Sequence, residues 1–326
     1  MIFSAGGLYG IVRALPFAII KSRVSSGERG VPALKGLIRA MRPKQWTKNV
    51  LIYAGLVFDG QLFVVDAFVK VTVSFFLLSL VASSIYLIND IIDIDRDRRH
   101  PVKRQRPLPS GQLRVSVALA AAIALPFFAM LASLTYNPQF TVILLMYFVL
   151  HVLYSFWLKH IVILDIMTIT AGFVLRVAAG VVLVQVQNFS PWLYACTALL
   201  ALFLAIGKRR QELILLEQRA ESVRATYRAY NLPLLDDMLR LVTTSTFLAY
   251  LLYTIEAPTI KVADTNLALI TVPFVLYALF RYLYLIHVKG EGSAPDEVLL
   301  RDYPLLASIV LWGLTFVLIL YLPGPA

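Results

Sequence analysis

Charge is scarce in this chain and the usual catalytic side chains are scarcer. Asp, Glu, Lys and Arg together make 15% of the residues, with four histidines and one cysteine. The lone Cys196 cannot close an intrachain disulfide, and its apolar surroundings read as those of a small packed residue. No Ser–His–Asp, Cys–His or zinc-spaced cluster stands out. A GxxxxGK[ST] loop is missing too, which disfavours an ATP-driven machine and fits a transfer in which the leaving group carries the energy. Apolar residues fill the space. They make up 59% of the chain, with a mean hydropathy of +0.76. A soluble domain of this balance would expose far too much apolar surface.

The apolar residues fall in runs long enough to cross a bilayer, for which ~20 residues suffice. The runs are continuous rather than alternating, so helices are expected and not a barrel. Candidate spans are approximately 49–65, 68–92, 115–135, 138–158, 161–184, 190–207, 238–257, 266–287 and 304–322. The fold class is therefore all-α, a polytopic bundle of about nine transmembrane helices. Asp59, Gly60 and Gln61 interrupt the first span, and Pro126 and Pro273 are positions for kinks. Residues 1–36 carry a moderately apolar piece, Leu8–Ile20, broken by Arg13 and without a convincing cleavage site. An interfacial or poorly ordered tail is expected there, followed by one transmembrane domain over 37–326.

A net charge of +11 taken alone suits a nucleic-acid partner, but its distribution does not. Lys and Arg crowd the region up to Lys48, Arg96–Arg114, Lys208–Arg240 and Lys289–Arg301, whereas the hydrophilic breaks at Asp59–Asp66, Asn137–Pro138, Gln185–Ser190 and Glu256–Asn266 contain only Lys261. That alternation is the positive-inside pattern. It places the N-terminus and every basic segment in the cytoplasm, and no nucleic-acid partner is expected.

The densest chemistry lies in Asn89–Gly111, NDIIDIDRDRRHPVKRQRPLPSG, at the end of the second span. If the helix continues past Asn89, then Asp90, Asp93 and Asp97 share one face by their spacing, while Asp95 leaves it. Three carboxylates at a helix C-terminus repel one another and oppose the helix dipole. A bound Mg²⁺ would reverse that penalty, with Asn89 adding a neutral oxygen. Lys103, Arg104 and Arg106 follow at once and suit phosphate oxygens that a metal leaves free. An end cap neutralised by its own local ion pairs is the competing reading of the same spacing. Further candidates are Arg42, Lys44 and Lys48 in RPKQWTKN, Lys208 and Glu212 in GKRRQEL, and the KGEGSAPDEVLLRD stretch at 289–302.

Two charges sit inside one span. Asp165 and Arg176 are eleven positions apart on the fifth candidate helix, on one face but about 16 Å from each other. They cannot pair directly. Either an ion pair to another helix or a functional site accounts for such charges, and Asp165 is the better site candidate. His151 reads as a satisfied packing residue.

The arrangement Asn89-Asp90-x-x-Asp93-x-x-x-Asp97 resembles the first aspartate-rich motif of the UbiA superfamily of intramembrane prenyltransferases. It is closer still to the branch of decaprenyl-phosphate phosphoribosyltransferases. RPKQWTKN at 42–49, RRHPVKRQRPLPSG at 98–111, LRVAAG at 175–180, GKRRQEL at 207–213 and EVLLRD at 297–302 carry the resemblance, over roughly residues 37–322. It implies a nine-helix bundle with a cavity capped at the cytoplasmic face of a bacterial inner membrane. It also implies Mg²⁺ held by Asp90, Asp93 and Asp97 with Asn89, these aspartates being the catalytic set. The implied reaction is transfer of 5-phosphoribose from phosphoribosyl diphosphate (PRPP) to a polyprenyl phosphate, releasing diphosphate. In actinobacteria that branch makes a cell-wall arabinan precursor.

By the same resemblance, Lys103, Arg104 and Arg106 are expected on the phosphates of PRPP. Arg42, Lys44 and Lys48 are expected on the donor or acceptor phosphate, and Lys208 and Glu212 on the opposite wall, near the ribose. The chain departs from the aromatic prenyltransferases of the superfamily where their second aspartate-rich motif would fall. There it reads GKRRQELILLEQRAE. Prenyl transfer to an aromatic acceptor is thus the alternative, and transport of a lipid or phosphosugar a more distant one.

Overall fold

In the computed structural model, the described residues are 33–186, 190–217, 230–256, 261–262, 265–292 and 295–321; most of the expected N-terminal tail lies outside them. Most are helical. In chain order the helices are α1 (Ala33–Ala40), α2 (Ala54–Phe58), α3 (Val65–Ile92), α4 (Ile94–Arg99), α5 (Val115–Leu134), α6 (Pro138–Phe156), α7 (Leu164–Val184), α8 (Pro191–Glu217), α9 (Leu232–Glu256), α10 (Val272–His287), α11 (Pro295–Arg301) and α12 (Tyr303–Tyr321). Two-residue strands, Lys261–Val262 and Thr265–Asn266, pair antiparallel between α9 and α10. Among the described residues eight helical segments are long and apolar enough to span a membrane, so this is a multi-pass membrane protein.

The first expected span takes a different form from the others. A 3₁₀ helix, Pro43–Tyr53, runs into the short α2. The interruption noted at Asp59–Gln61 is a helix stop. Gly60 takes φ +71, its N–H donates to Val57, and the Gln61 N–H reaches back to Leu56. This pair of bonds is a Schellman cap, for which glycine carries no Cβ penalty. Pro273 does not kink a helix: it sits in the first turn of α10, after a 3₁₀ stretch Leu267–Thr271, where its missing N–H costs nothing. Pro126 does lie within α5. Asn137 caps α6 by accepting the Phe140 N–H at 2.9 Å.

The chain divides into two compact units. Among the described residues, one comprises those up to Gln45 together with Leu80–Phe128, and the other those of Trp46–Ser79 and from Ala129 onward. In the first, α1, the end of α3, α4 and the start of α5 close on Ala40, Leu87, Ile91, Ile94, Leu108, Leu113, Ala118 and Ala122. In the second, α8 packs against α7 and α9, α7 also against α6 and α2, and α10 against α12. The crossing of α7 with the 3₁₀ segment is so close that a Cβ on Gly180 would stand 1.9 Å from the Ile52 carbonyl oxygen. Apolar side chains also cover the outside, as on α5, where Ile123, Phe127 and Leu131 recur at helical spacing and are exposed. Such a stripe suits lipid.

Candidate active site

The helical ladder runs on past the end of α3. The Asp93 N–H donates to the Asn89 carbonyl at 2.9 Å and the Asp97 N–H to the Asp93 carbonyl at 2.8 Å. Asp90, Asp93 and Asp97 therefore do share a face. Asp90 and Asp97 are buried, at 1% and 2% exposure, and Asp93 is half-buried at the junction with α4. Asp95 faces out and meets Arg98 at 3.6 Å.

Two arginines converge on the buried pair. Arg42 donates to Asp90 Oδ1. Arg106 Nη1 donates to Asp97 Oδ2 at 2.6 Å and lies 3.3 Å from Asp90 Oδ1. One guanidinium nitrogen thus bridges both carboxylates. Asp90 Oδ2 is buried with no hydrogen-bond partner among the described residues. Beside this cluster opens a cavity of about 270 Å³, lined by Arg39, Ala40, Arg42, Asp90, Val102, Lys103, Gln105, Arg106 and Pro107.

Local backbone structure explains how these cations are held. Arg42 takes φ +55, following α1 and preceding Pro43. Left-handed backbone costs a residue with a Cβ about 1–2 kcal/mol, and a non-glycine there reflects a constraint from its surroundings. Its guanidinium also lies 4.9 Å from the Tyr86 ring centre. Arg106 is fixed by the RPLPSG stretch: its carbonyl accepts the Ser110 N–H at 3.0 Å and the Ser110 hydroxyl at 2.7 Å. Leu113 N–H bonds the Pro107 carbonyl, Gly111 supplies the positive-φ turn, and Leu108 and Leu113 are buried. On the approach to this loop, His100 Nδ1 accepts the N–H groups of Val102 and Lys103, each at 3.2 Å. Burial and the neighbouring Lys103 lower the His100 pKa, which favours the uncharged ring that accepts these bonds.

The structure brings together Arg42, Asp90, Asp97, Lys103 and Arg106 of the expected set, and adds Arg39, which sequence reasoning missed. Asn89 is half-buried one residue from Asp90; Arg104 and Lys44 are exposed and do not line this cavity. Among the described residues no three His, Cys, Asp or Glu side chains close into a group able to hold a metal. The bridged pair nonetheless fits Mg²⁺, which usually takes one or two carboxylates and completes its shell with water and substrate phosphates. The partnerless Asp90 Oδ2 is an oxygen of the kind that ion prefers.

In the second unit, Lys48 is half-buried and Lys208 exposed. The residue beside Lys208 is the informative one. Arg209 donates to Asp165 Oδ2 from Nε at 2.9 Å and lies within 2.7 Å of it through Nη2. Its Nη1 takes Glu212 at 2.9 Å. Tyr230 donates to Asp165 Oδ1 at 2.7 Å and accepts the N–H of Ile163, which has φ +70. Burial, with the Asp165 hydrogen bond, pushes the Tyr230 phenol well above its ordinary pKa, so it stays a donor. Asp165 thus has the interhelical ion pair foreseen as one reading of its charge. Arg176 is held by Asn49 at 2.8 Å, the Tyr147 hydroxyl at 2.6 Å and two ring faces. His151 bonds the Tyr147 carbonyl and packs on its ring, as a packing residue does.

Other motif residues prove architectural. Asp302 of EVLLRD accepts both Arg281 nitrogens, at 3.0 and 2.8 Å, and caps α12 through the Leu305 N–H. The glycines at 290 and 292 turn the chain after α10 and bring it against Gln211 and Ile286.

A multi-pass helical protein with buried carboxylates and clustered cations beside a cavity has the form of an intramembrane transferase. The UbiA prenyltransferase family model matches residues 50–300, and the chain belongs to that family. It is 32% identical over 292 residues to the decaprenyl-phosphate phosphoribosyltransferase of Corynebacterium glutamicum, covering 88% of this chain and 87% of that one. Against the Mycobacterium tuberculosis protein of the same name, identity is 30% over 285 residues, covering 85% and 91%. Among solved structures, a UbiA homolog from Archaeoglobus fulgidus bound to DMAPP and Mg²⁺ superposes with a TM-score of 0.65 at 16% identity, covering 88% of this chain and 100% of that one.

Proposed function

We propose that this enzyme transfers 5-phosphoribose from PRPP to a polyprenyl phosphate, such as decaprenyl phosphate, with release of diphosphate. The observation that carries the reading is the cavity in which Asp90, bridged to Asp97 by Arg106, faces Arg39, Arg42 and Lys103. Such a set suits a polyanion that arrives with a divalent cation. The similarity to the corynebacterial and mycobacterial phosphoribosyltransferases supports the choice of donor.

In this mechanism the C1–O bond of PRPP breaks and diphosphate leaves with the electron pair. An oxygen of the lipid phosphate then forms the new bond to C1. The acceptor is anionic at neutral pH, so no strong general base is needed and no side-chain nucleophile is assigned. Mg²⁺, when bound, neutralises charge on the departing diphosphate. Asp90 and Asp97 would hold it, with Asp93 and Asn89 adjoining. Arg42, Lys103 and Arg106 would orient phosphate oxygens and stabilise the charge that develops on them. For Lys44, Lys48, Arg104, Lys208 and Glu212, a phosphate or ribose contact is a proposal tested residue by residue through the KM for PRPP after alanine substitution.

The site would face the cytoplasm of a bacterial inner membrane, since the basic segments alternate as the positive-inside pattern requires. The stretch that begins at GKRRQEL favours this reading over an aromatic acceptor, because it carries Lys208, Glu212 and Glu217 but no second DxxxD motif. Purified protein given ribose-labelled PRPP and polyprenyl phosphate should move label into the organic-extractable lipid, and EDTA should stop it. Label that stays in the aqueous phase with folded protein refutes the donor assignment.

A further inference from the structure

The arginines that line the cavity also grip its acids. Arg42 and Arg106 both reach Asp90 Oδ1, and Arg106 Nη1 spans from there to Asp97 Oδ2. A divalent cation held by Asp90 and Asp97 must compete with these contacts. It would also enter a pocket whose lining carries Arg39, Arg42, Lys103 and Arg106 against one carboxylate, Asp90. A polyphosphate alone meets the converse difficulty: drawing the arginines toward itself uncovers buried carboxylates. The two costs cancel when both ligands arrive.

We propose that Arg42 and Arg106 change partners as the site loads, releasing the carboxylates to the metal while taking the donor's phosphate oxygens. Metal and donor then bind cooperatively, and metal alone binds weakly. This deepens the phosphoribosyl reading and rests on it. Binding linkage makes the coupling reciprocal, so each ligand raises the affinity for the other by the same factor. The geometry suits such an exchange. Arg106 is anchored through its carbonyl on the 107–113 turn, which leaves its side chain, a third exposed, as the moving part. Arg42 is set at the cavity edge by a strained backbone and also borders a tyrosine ring, an alternative resting place for a guanidinium.

The test is Mn²⁺ binding to the full-length protein in nanodiscs, followed by electron paramagnetic resonance without polyprenyl phosphate. Wild type, Arg106→Gln and Arg42→Gln are compared with and without PRPP, correcting for the metal that PRPP chelates in solution. Wild type should bind Mn²⁺ alone weakly and about tenfold or more tightly with PRPP. Arg106→Gln should bind Mn²⁺ alone about tenfold more tightly than wild type and lose most of the PRPP effect. If Arg106→Gln does not fold, Arg42→Gln carries the same expectation at Asp90. Equal or weaker affinity for Mn²⁺ alone in the folded variants overturns the exchange. So does independent binding of the two ligands to wild type. Absence of any PRPP binding to wild type with Mn²⁺ is a different result, which removes the phosphoribosyl reading and the exchange with it.

Discussion

The Asp165–Arg209 pair sets a quantitative expectation for stability. Asp165 is fully buried, receives two guanidinium nitrogens on one oxygen and the Tyr230 hydroxyl on the other. Asp165→Asn keeps the volume but removes the countercharge and turns an NH₂ group toward one set of donors. Breaking a buried pair by removing one partner costs about 3–5 kcal/mol. Asparagine belongs at the low end, because Arg209 retains Glu212 at 2.9 Å and Glu212 is itself partly solvated. A loss of about 3 kcal/mol is expected, roughly 150-fold in the unfolding equilibrium. Arg209→Met should cost more, about 5 kcal/mol, since it leaves a carboxylate buried with only a phenol. The Asp165→Leu/Arg209→Met double variant should cost less than the sum of its single variants, because neither charge is then stranded. Unfolding in mixed dodecylmaltoside and SDS micelles, followed by far-UV circular dichroism, measures all of these. A result within about 0.5 kcal/mol of wild type for Asp165→Asn, or strict additivity of the double variant, would refute the reasoning.

Other expectations are as direct. Asp90→Asn and Asp97→Asn should each lower kcat by about 10²-fold or more while the protein stays monodisperse, as judged by initial rates at saturating PRPP. Gly180→Ala should destabilise by at least about 1–3 kcal/mol, given the Ile52 carbonyl in its path. Gly313→Ala, in α12 with nothing within 4 Å of its new Cβ, should be neutral or stabilise by about 0.5–1 kcal/mol. The Arg281 guanidinium holds the Asp302 carboxyl below its usual pKa. Its contribution is therefore present above the unfolded value of about 3.9 and lost as pH falls through the lower folded value. The stability gap between wild type and Asp302→Asn should be flat from pH 8 to about 5 and narrow below about 4.

Much of the fold was legible because apolar runs and the alternation of basic segments are local signals. The shared face of Asp90, Asp93 and Asp97 followed from helical spacing, and the backbone bonds through Asp93 bear it out. Partners distant in sequence were not legible. Arg42 lies 48 positions from Asp90, and nothing local distinguishes it from Lys44, which is exposed. Arg39 reads as an ordinary residue of a short amphipathic helix until the cavity is seen. In GKRRQEL, adjacent cations have opposite fates because helical rotation turns Arg209 inward and Lys208 outward. The span over 49–65 departed from a single helix because backbone capping at Gly60, rather than hydropathy, decides where it stops. The 289–302 stretch read as a ligand-approaching segment or equally as a polar linker, and its Asp302 closes a helix end.

The central claim is the identity of the transferred group, and mass spectrometry of the lipid product tests it most directly. Purified protein with Mg²⁺ is offered PRPP with polyprenyl phosphate in one reaction and a prenyl diphosphate with an aromatic acceptor in another. A polyprenyl-phosphoryl-5-phosphoribose mass in the first, and no prenylated aromatic in the second, is the expected result. A prenylated aromatic product without any phosphoribosyl lipid would contradict the account.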